Sequence, residues 1–427
     1  MDSVALRADT VTTQYEEAVV LEPVVRDYLT LGLRLGRLID GFVDCWFGDT
    51  SLARQVADEP EPVPAELAAD AARLAETLRD SDLDDSRRRF LAAQTRALAC
   101  VARKLAGENM PFLAEIEAYF DVRIDYQDPD RYAAVRDEIA DLLPGEGDLD
   151  ARLAAFGERD RIPHGGLKPA AQALSAALRE KTGARYPLPR EEHVHYEAVT
   201  DKPWNAFNLY HGGLRSTISL NEDVGHGMSA LPHLVTHEAY PGHHTEHCLK
   251  ESRLVRDLGQ EEHAIYLVNT PQCLISEGMG ERALSVALGD GWGQWTEEVL
   301  AGRGLHIDGD LVERLLSLTT QLLPARQDAA MMLHDRGADP EDVVSFLQRT
   351  VMVPEHRARH MVRFLMDPLW RAYTVTYIEG GRLVGAWLAA GGPGESTEKR
   401  YLRLLTEPML PSTLSAEIGA ARTPAAH

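Results

Sequence analysis

Cysteine is scarce in this chain: Cys45, Cys100, Cys248 and Cys273 are the only four in 427 residues. They are scattered and none forms a C-x-x-C pair, which excludes a disulfide framework; four reduced, mostly buried thiols are expected. Basic residues are also in deficit. The 44 Lys and Arg against 67 Asp and Glu leave a formal net charge of −23. Such a surface repels phosphate backbones, and no Lys/Arg run with interleaved aromatics counters it, so nucleic acid is not an expected partner. The chain also lacks any stretch of about 18 uncharged apolar residues. Its opening, MDSVALRADTVTTQYEEAVV, has no basic segment followed by an apolar core. No membrane partner and a cytoplasmic location are the expectations. No internal period and no low-complexity tract is visible, which sets solenoids aside. What is there, 44% hydrophobic and 26% charged residues, suits a globular protein.

From Val19 to about Leu188 the sequence is dominated by Ala, Leu, Arg, Asp and Glu. Its apolar residues recur three and four apart, as in LGLRLGRLIDGFVDCWF and RRRFLAAQTRALACVARKLAG. This predicts amphipathic helices. Clusters of Pro, Gly and Asp at 58–64, 125–132 and 157–166 mark breaks, and the last is the best linker candidate. It divides an N-terminal helical region, residues 1–165, from residues 166–427, with the two expected to form one continuous body. Between Pro187 and Asp223 the texture changes. HVHYEAV and RSTISLN alternate with period two around a His211-Gly212-Gly213 turn, which predicts a small sheet. Helical texture resumes at Leu231 and persists to about Ala390. One start is well marked at Asp339-Pro340-Glu341-Asp342, where Asp339 can cap and Pro340 suits the first turn. The fold class expected is mainly α with a small β-sheet.

Within Leu231–His247 five histidines fall in the fifteen residues 233–247: His233, His237, His243, His244 and His247. Imidazoles plus a carboxylate are the ligands Zn²⁺ prefers in catalytic sites, where three protein groups leave a position open. His237-Glu238 at a helix resembles the start of H-E-x-x-H, in which two histidines one turn apart bind zinc and the Glu is general base. Here the fourth position after His237 is Pro241. Proline cannot donate to the carbonyl of residue 237, so a kink or bulge is expected there, eased by Gly242. On an unbroken helix His243 would face about 240° away from His237, and His244 would share its face roughly 10 Å further along. Either could therefore complete the pair. His243 is preferred, because a Gly-His step after a two-residue insertion restores the usual ending of zincin helices.

A third ligand is expected from a second helix, and Glu277 is the candidate. Thr270 can cap that helix, Pro271 can start it and Gly289 can end it. A carboxylate in so apolar a setting is costly unless paired or bound to a cation. Gly278 and Gly280 would permit close approach to the metal helix. Glu281, one turn on, is placed to orient a ligating histidine. An ion pair of Glu277 with Arg282 is the structural alternative.

HEAYPGHHTEH, EGMGERA and ISLN together resemble the bacterial "domain of unknown function 885" family, with its pattern H-E-x-x-P-G-H-H followed by an E-G-W-A-like segment. The resemblance covers His193 to Gly380 well and the N-terminal half only in texture. The family looks like a branch of the Glu-zincin metallopeptidases, similar in layout to carboxypeptidase Taq-like enzymes. It therefore implies a mostly helical zincin-like body with a small sheet beside the metal helix. It also implies one Zn²⁺ bound by His237, His243 and Glu277, with Glu238 as general base and acid. The chain departs from the pattern at Met279, where the family has Trp, and in the loose match of Pro368–Gly380. Tyr377 or Tyr373 could serve an oxyanion, and Tyr377 is preferred.

Arg215, Arg282 and Arg371 are candidates for a substrate carboxylate, though structural pairing is the more ordinary role for each. His334, His211 and Tyr210 are candidates to reach substrate. RSTISLN is expected to be an edge strand beside the metal helix, able to bind an extended substrate. Cys248 is read as a packed helix residue. The function expected is a zinc-dependent hydrolase of a peptide or small amide. Two alternatives stand beside it: a metal-dependent enzyme acting on a small non-peptide substrate, and a catalytically silent protein stabilised by metal. Manganese or cobalt suit the same ligands.

Overall fold

A computed structural model describes residues 21–422 apart from Pro203 and Pro393. The opening segment, read above for a targeting sequence, lies outside the described residues. Helices dominate the described chain. The N-terminal part folds as α1 (Pro23–Gly36), β1 (Val43–Trp46), α2 (Thr50–Ala57), α3 (Pro64–Arg79), α4 (Asp85–Leu105), α5 (Phe112–Phe120), α6 (Pro129–Leu142), α7 (Leu149–Asp160) and α8 (Leu167–Arg185). Next come β2 (His193–Val199), β3 (Ala206–Gly212), β4 (Arg215–Asn221), α9 (Leu231–Glu238), α10 (His243–Lys250), β5 (Ile265–Leu267) and α11 (Pro271–Leu288). The remainder is α12 (Trp292–Ala301), α13 (Gly309–Thr320), α14 (Pro324–His334), α15 (Pro340–Val351), α16 (Glu355–Met366), a π-helical stretch at Thr376–Gly380, α17 (Gly381–Ala389), α18 (Thr397–Thr406) and α19 (Pro411–Arg422).

Most helix starts follow from local chemistry. Asp49, Asp84, Asp128, Asp148, Asp308 and Asp339 each accept a hydrogen bond from a first-turn N–H of the helix they precede. Each satisfies a donor that would otherwise be orphaned, worth about 1 kcal/mol per cap. The break at 58–64 falls between α2 and the first residue of α3, whereas that at 125–132 is half helical, since α6 starts at Pro129. The break at 157–166 is partly helical, since α7 runs to Asp160, and the buried Asp160 carboxylate accepts from Ser229 N at 2.9 Å.

LGLRLGRLIDGFVDCWF is not one helix. α1 stops at Gly36, Gly41 takes φ 76°, and the chain extends as β1, antiparallel to β5. A distant strand overrides the helical period there, on residues such as Val43 and Trp46 that suit a pleated surface. The predicted sheet forms in the order β2-β4-β3, with β2 parallel and β3 antiparallel to β4. Gly212 and Gly213 at φ 73° and 61° make the hairpin turn. RSTISLN is therefore β4, paired on both sides, and the expectation that it is an edge strand fails. β3 is the edge.

The largest apolar cluster draws on both ends of the chain. Tyr28, Phe90, Leu98 and Phe120 belong to it together with Leu274, Met279, Val384, Trp387 and Tyr401. A second cluster joins α8, the three-stranded sheet and α9 through Leu174, Leu178, Tyr196, Ile218, Leu231 and Val235. α11 joins the two cores, with Leu274 and Met279 in the first and Ala287 in the second, and α9 belongs to the second.

Candidate metal centre

Pro241 does interrupt the histidine-rich segment. α9 ends at Glu238 and α10 begins at His243, with a tight connection between them. In it the Gly242 N–H donates to Thr236 O at 2.9 Å, and a Cβ on Gly242 would fall 1.9 Å from His237 O. Only glycine fits that approach. The break resets the helical phase, so His243 returns to His237, with ring centroids 4.6 Å apart and planes at 87°.

Glu277 meets this pair from α11. Thr270 caps that helix through Cys273 N at 3.3 Å, and Gly289 at φ 65° ends it. His237 Nε2 lies 3.3 Å from Glu277 Oε2, and His243 Nε2 lies 3.6 Å from Glu277 Oε1. One ligand atom from each of the three residues falls within 4.8 Å of the others. Ligands about 2.0–2.2 Å from a tetrahedral ion stand roughly 3.3–3.6 Å apart, so the separations suit a shared cation. Glu277 is 6% exposed and its Oε2 has no hydrogen-bond partner among the described residues, while Oε1 accepts from Tyr373 OH at 2.8 Å. A buried carboxylate oxygen left over in this way is what an ion would satisfy.

The glycines of α11 make room. A Cβ on Gly280 would come within 2.6 Å of the His237 ring, and one on Gly278 within 2.4 Å of Gly380 O. Gly280 therefore admits the metal helix, as expected, whereas Gly278 admits the π-helical stretch instead.

Both histidines are oriented from behind. His243 Nδ1 lies 3.1 Å from Ser276 Oγ, whose hydroxyl donates to Glu246, and Glu246 is held by Lys250 Nζ at 2.5 Å. His237 Nδ1 faces Glu281 Oε1 at 3.7 Å, and Glu281 Oε2 faces His233 Nε2 at 3.5 Å. The Ser276 contact favours the His243 tautomer that leaves Nε2 free for an ion, and Glu281 stands behind His237 at ion-pair range. Burial alone would lower the His243 pKa, but the Glu277, Glu246 and Glu238 carboxylates outweigh it and hold the ring at about 10. Burial opposes ionisation of Glu277, and the His243 and His237 imidazoles overcome this and keep its pKa low. Protons and a metal compete for these nitrogens.

Glu238 and Tyr377 line the same small cavity as the three ligand candidates. The Tyr377 ring centroid is 6.3 Å from that of His237, and its hydroxyl is pushed well above its ordinary pKa by burial and by Glu277, Glu238 and Glu281. It therefore stays a proton donor. Tyr373, the other candidate, is occupied with Glu277. His244 is the residue not brought to the site. It is fully buried on the opposite side, with Nε2 2.6 Å from Glu192 Oε2 and Nδ1 2.8 Å from Ser216 Oγ. The phase reset at Gly242 turns it away.

The arginines singled out lie elsewhere. Arg371 pairs with the buried Glu115, Arg282 Nε donates to Gly381 O at 2.7 Å rather than to Glu277, and Arg215 is exposed at the start of β4. His334 lies 2.6 Å from Leu365 O, His211 lies 2.9 Å from Thr217 Oγ1, and the Tyr210 hydroxyl donates to Glu251. None of these six lines the cavity. Cys248 is buried, as expected.

Several lining residues were not anticipated. Ala206, Phe207 and Asn208 bring in the β3 edge, and Asn208 Nδ2 donates to Glu238 O at 2.5 Å. His247 also lines the cavity, stacked on Tyr210, with its pKa lowered to about 3 chiefly by burial. Asp44 enters from β1, and burial together with Glu277 and Glu238 raises its carboxyl to about 7 against the pull of His243. Asp44 sits in a stretch whose period reads as helix, so no sequence signal points to it.

No protein-family model and no curated protein matches the chain. Among solved structures it is similar to a putative lipoprotein from Colwellia psychrerythraea, with a TM-score of 0.54 and 15% sequence identity over 83% of this chain. The match spans 66% of that protein's length. At this identity the likeness is one of fold. No helix of the described residues is long and apolar enough to cross a membrane.

Proposed function

We propose that the protein is a metal-dependent hydrolase of the metallopeptidase type, acting on a peptide or small amide, with one Zn²⁺ bound by His237, His243 and Glu277. The observation that carries this is the buried Glu277 Oε2, which accepts no hydrogen bond among the described residues and stands 3.3 Å from His237 Nε2 beside His243. The resemblance of HEAYPGHH to the Glu-zincin-like family points the same way. The four free, buried cysteines suit a reducing compartment, and we propose the cytoplasm.

When bound, such an ion supplies Lewis acidity, polarising a carbonyl and making water nucleophilic near neutral pH. Glu238 follows His237 directly and opens onto the same cavity, so its carboxylate takes the proton of the attacking water and returns it to the leaving amine. The Tyr377 hydroxyl donates to the oxygen that gains charge. Ala206, Phe207 and Asn208 of the edge strand β3 line the cavity and offer backbone groups to a substrate there.

Glu238→Gln tests the reading, with zinc content and hydrolysis of a peptide library and a small-amide panel measured side by side. The expected protein keeps zinc and loses hydrolysis. Full activity in Glu238→Gln would sink the mechanism, and cleavage confined to non-peptide amides would move the substrate class.

A further inference from the structure

The cavity is lined by three carboxylates, Asp44, Glu238 and Glu277, and by no Lys or Arg. Histidines that ligate a metal are neutral. A divalent ion would offset Glu277 and Glu238, and would leave Asp44, whose carboxyl is held up by burial and those two acids, as the acid with no cation of its own until one arrives with substrate. Nothing of the described protein is placed to balance it: Asp44 has no hydrogen-bond or ion-pair partner there.

Its position is specific. β1 and β5 pair at Val43–Leu267 and Cys45–Tyr266, with an irregularity between Val43 and Cys45 that leaves Asp44 as the extra residue. Bulges of this kind re-aim a side chain and occur beside active sites. Asp44 lines the cavity together with Tyr266 and Val268 from the β5 segment and Ala206, Phe207 and Asn208 from β3. The residue is half-buried, with its carboxylate open to the cavity and so to whatever enters it. Asp44 thus shares one cavity with the β3 residues and with the three ligand candidates.

We propose that Asp44 binds the α-ammonium group of the substrate, so that the protein acts at the free amino end of a peptide or of an amino-acid amide. This rests on the metallohydrolase reading above. A primary ammonium could also come from a lysine side chain. The small cavity favours the α-ammonium, because it lies only two bonds from the reacting carbonyl.

The test is binding of L-leucinamide, N-acetyl-L-leucinamide and N-acetyl-L-lysinamide to the zinc-loaded protein by calorimetry, with zinc content measured on the same samples. Leucinamide is expected to bind about 10- to 100-fold more tightly than its acetylated form, the range for one charge-assisted hydrogen bond. Asp44→Asn should abolish that ratio and keep its zinc. Equal binding of leucinamide and its acetylated form by the wild-type protein overturns the proposal, and needs no variant to be folded. So does N-acetyl-lysinamide binding as tightly as leucinamide, or loss of zinc in Asp44→Asn, which would make Asp44 a ligand. If the wild-type protein takes up no zinc yet still discriminates, the ammonium subsite stands and the metallohydrolase reading fails.

Discussion

Adjacent histidines with opposite roles give the sharpest check on the metal site. His243 Nε2 faces Glu277 Oε1 at 3.6 Å, whereas His244 is fully buried against Glu192 and Ser216. His244→Ala removes a hydrogen bond to a charged group, about 1.5–3 kcal/mol, and leaves a hole in a packed site, where large-to-small changes cost about 2–5 kcal/mol. The two overlap, because Tyr240 OH at 2.6 Å and Arg179 still hold Glu192. A loss of roughly 3–4 kcal/mol is expected. His243→Ala removes little from the fold, about 1–2 kcal/mol, since Ser276 and Lys250 keep Glu246 satisfied. Its cost falls on the metal: outer partners alone are worth 10- to 100-fold in affinity, so loss of a ligand should exceed about 100-fold. Stability would be read as a urea midpoint with chelator present, so that metal binding does not add to it. Affinity would be read by competition with a chromophoric chelator. A His244→Ala protein that loses zinc, beside a His243→Ala protein that retains it, would refute the assignment.

Further outcomes follow from the same geometry. Gly280→Ala drives a methyl group to within 2.6 Å of the His237 ring; it should weaken zinc binding at least tenfold, the scale of a disturbed outer shell, and unchanged affinity would mean the ring is not a ligand. Tyr377→Phe should keep its zinc and lower kcat by about 10²–10³, the loss for one oxyanion donor; a change confined to KM would remove the hydroxyl from the chemistry. Burial raises the Glu281 pKa, but His233 and His237 overcome it and hold the carboxyl at about 2 in place of 4.5. The unfolded state therefore binds more protons between those values. The Glu281 contribution to stability is present above about pH 4.5 and lost as pH falls toward 2. Glu281→Gln should flatten that acid limb in chelator-treated protein, and an unaltered limb would remove Glu281 from the network.

Much of the fold was legible because its signals are local. The aspartates before α2, α4, α6 and α15 cap by contact with N–H groups two or three residues away, and HVHYEAV and RSTISLN form β2 and β4, although the Gly212-Gly213 turn joins β4 to β3, a strand that periodicity did not mark. Glu277 was legible through its neighbours Thr270, Pro271 and Gly289, which fix its helix. The register of α9 against α10 was not. Whether His243 or His244 rejoins His237 depends on how the chain passes Gly242, and that is set by carbonyls of the preceding turn. The centrality of β4 depends on which strand docks alongside it, a choice that periodicity does not encode.

By itself the sequence determined the helices, the small sheet and the residue types able to hold a divalent ion, since caps, periods and ligand chemistry act over a few residues. Only the tertiary structure decided which of two neighbouring imidazoles faces Glu277 and that Asp44, nearly two hundred positions before the histidines, opens onto the same cavity. The physical reason is that β1 finds its partner in β5, a pairing made across the whole fold, and that pairing carries a lone carboxylate to a place no local pattern could assign.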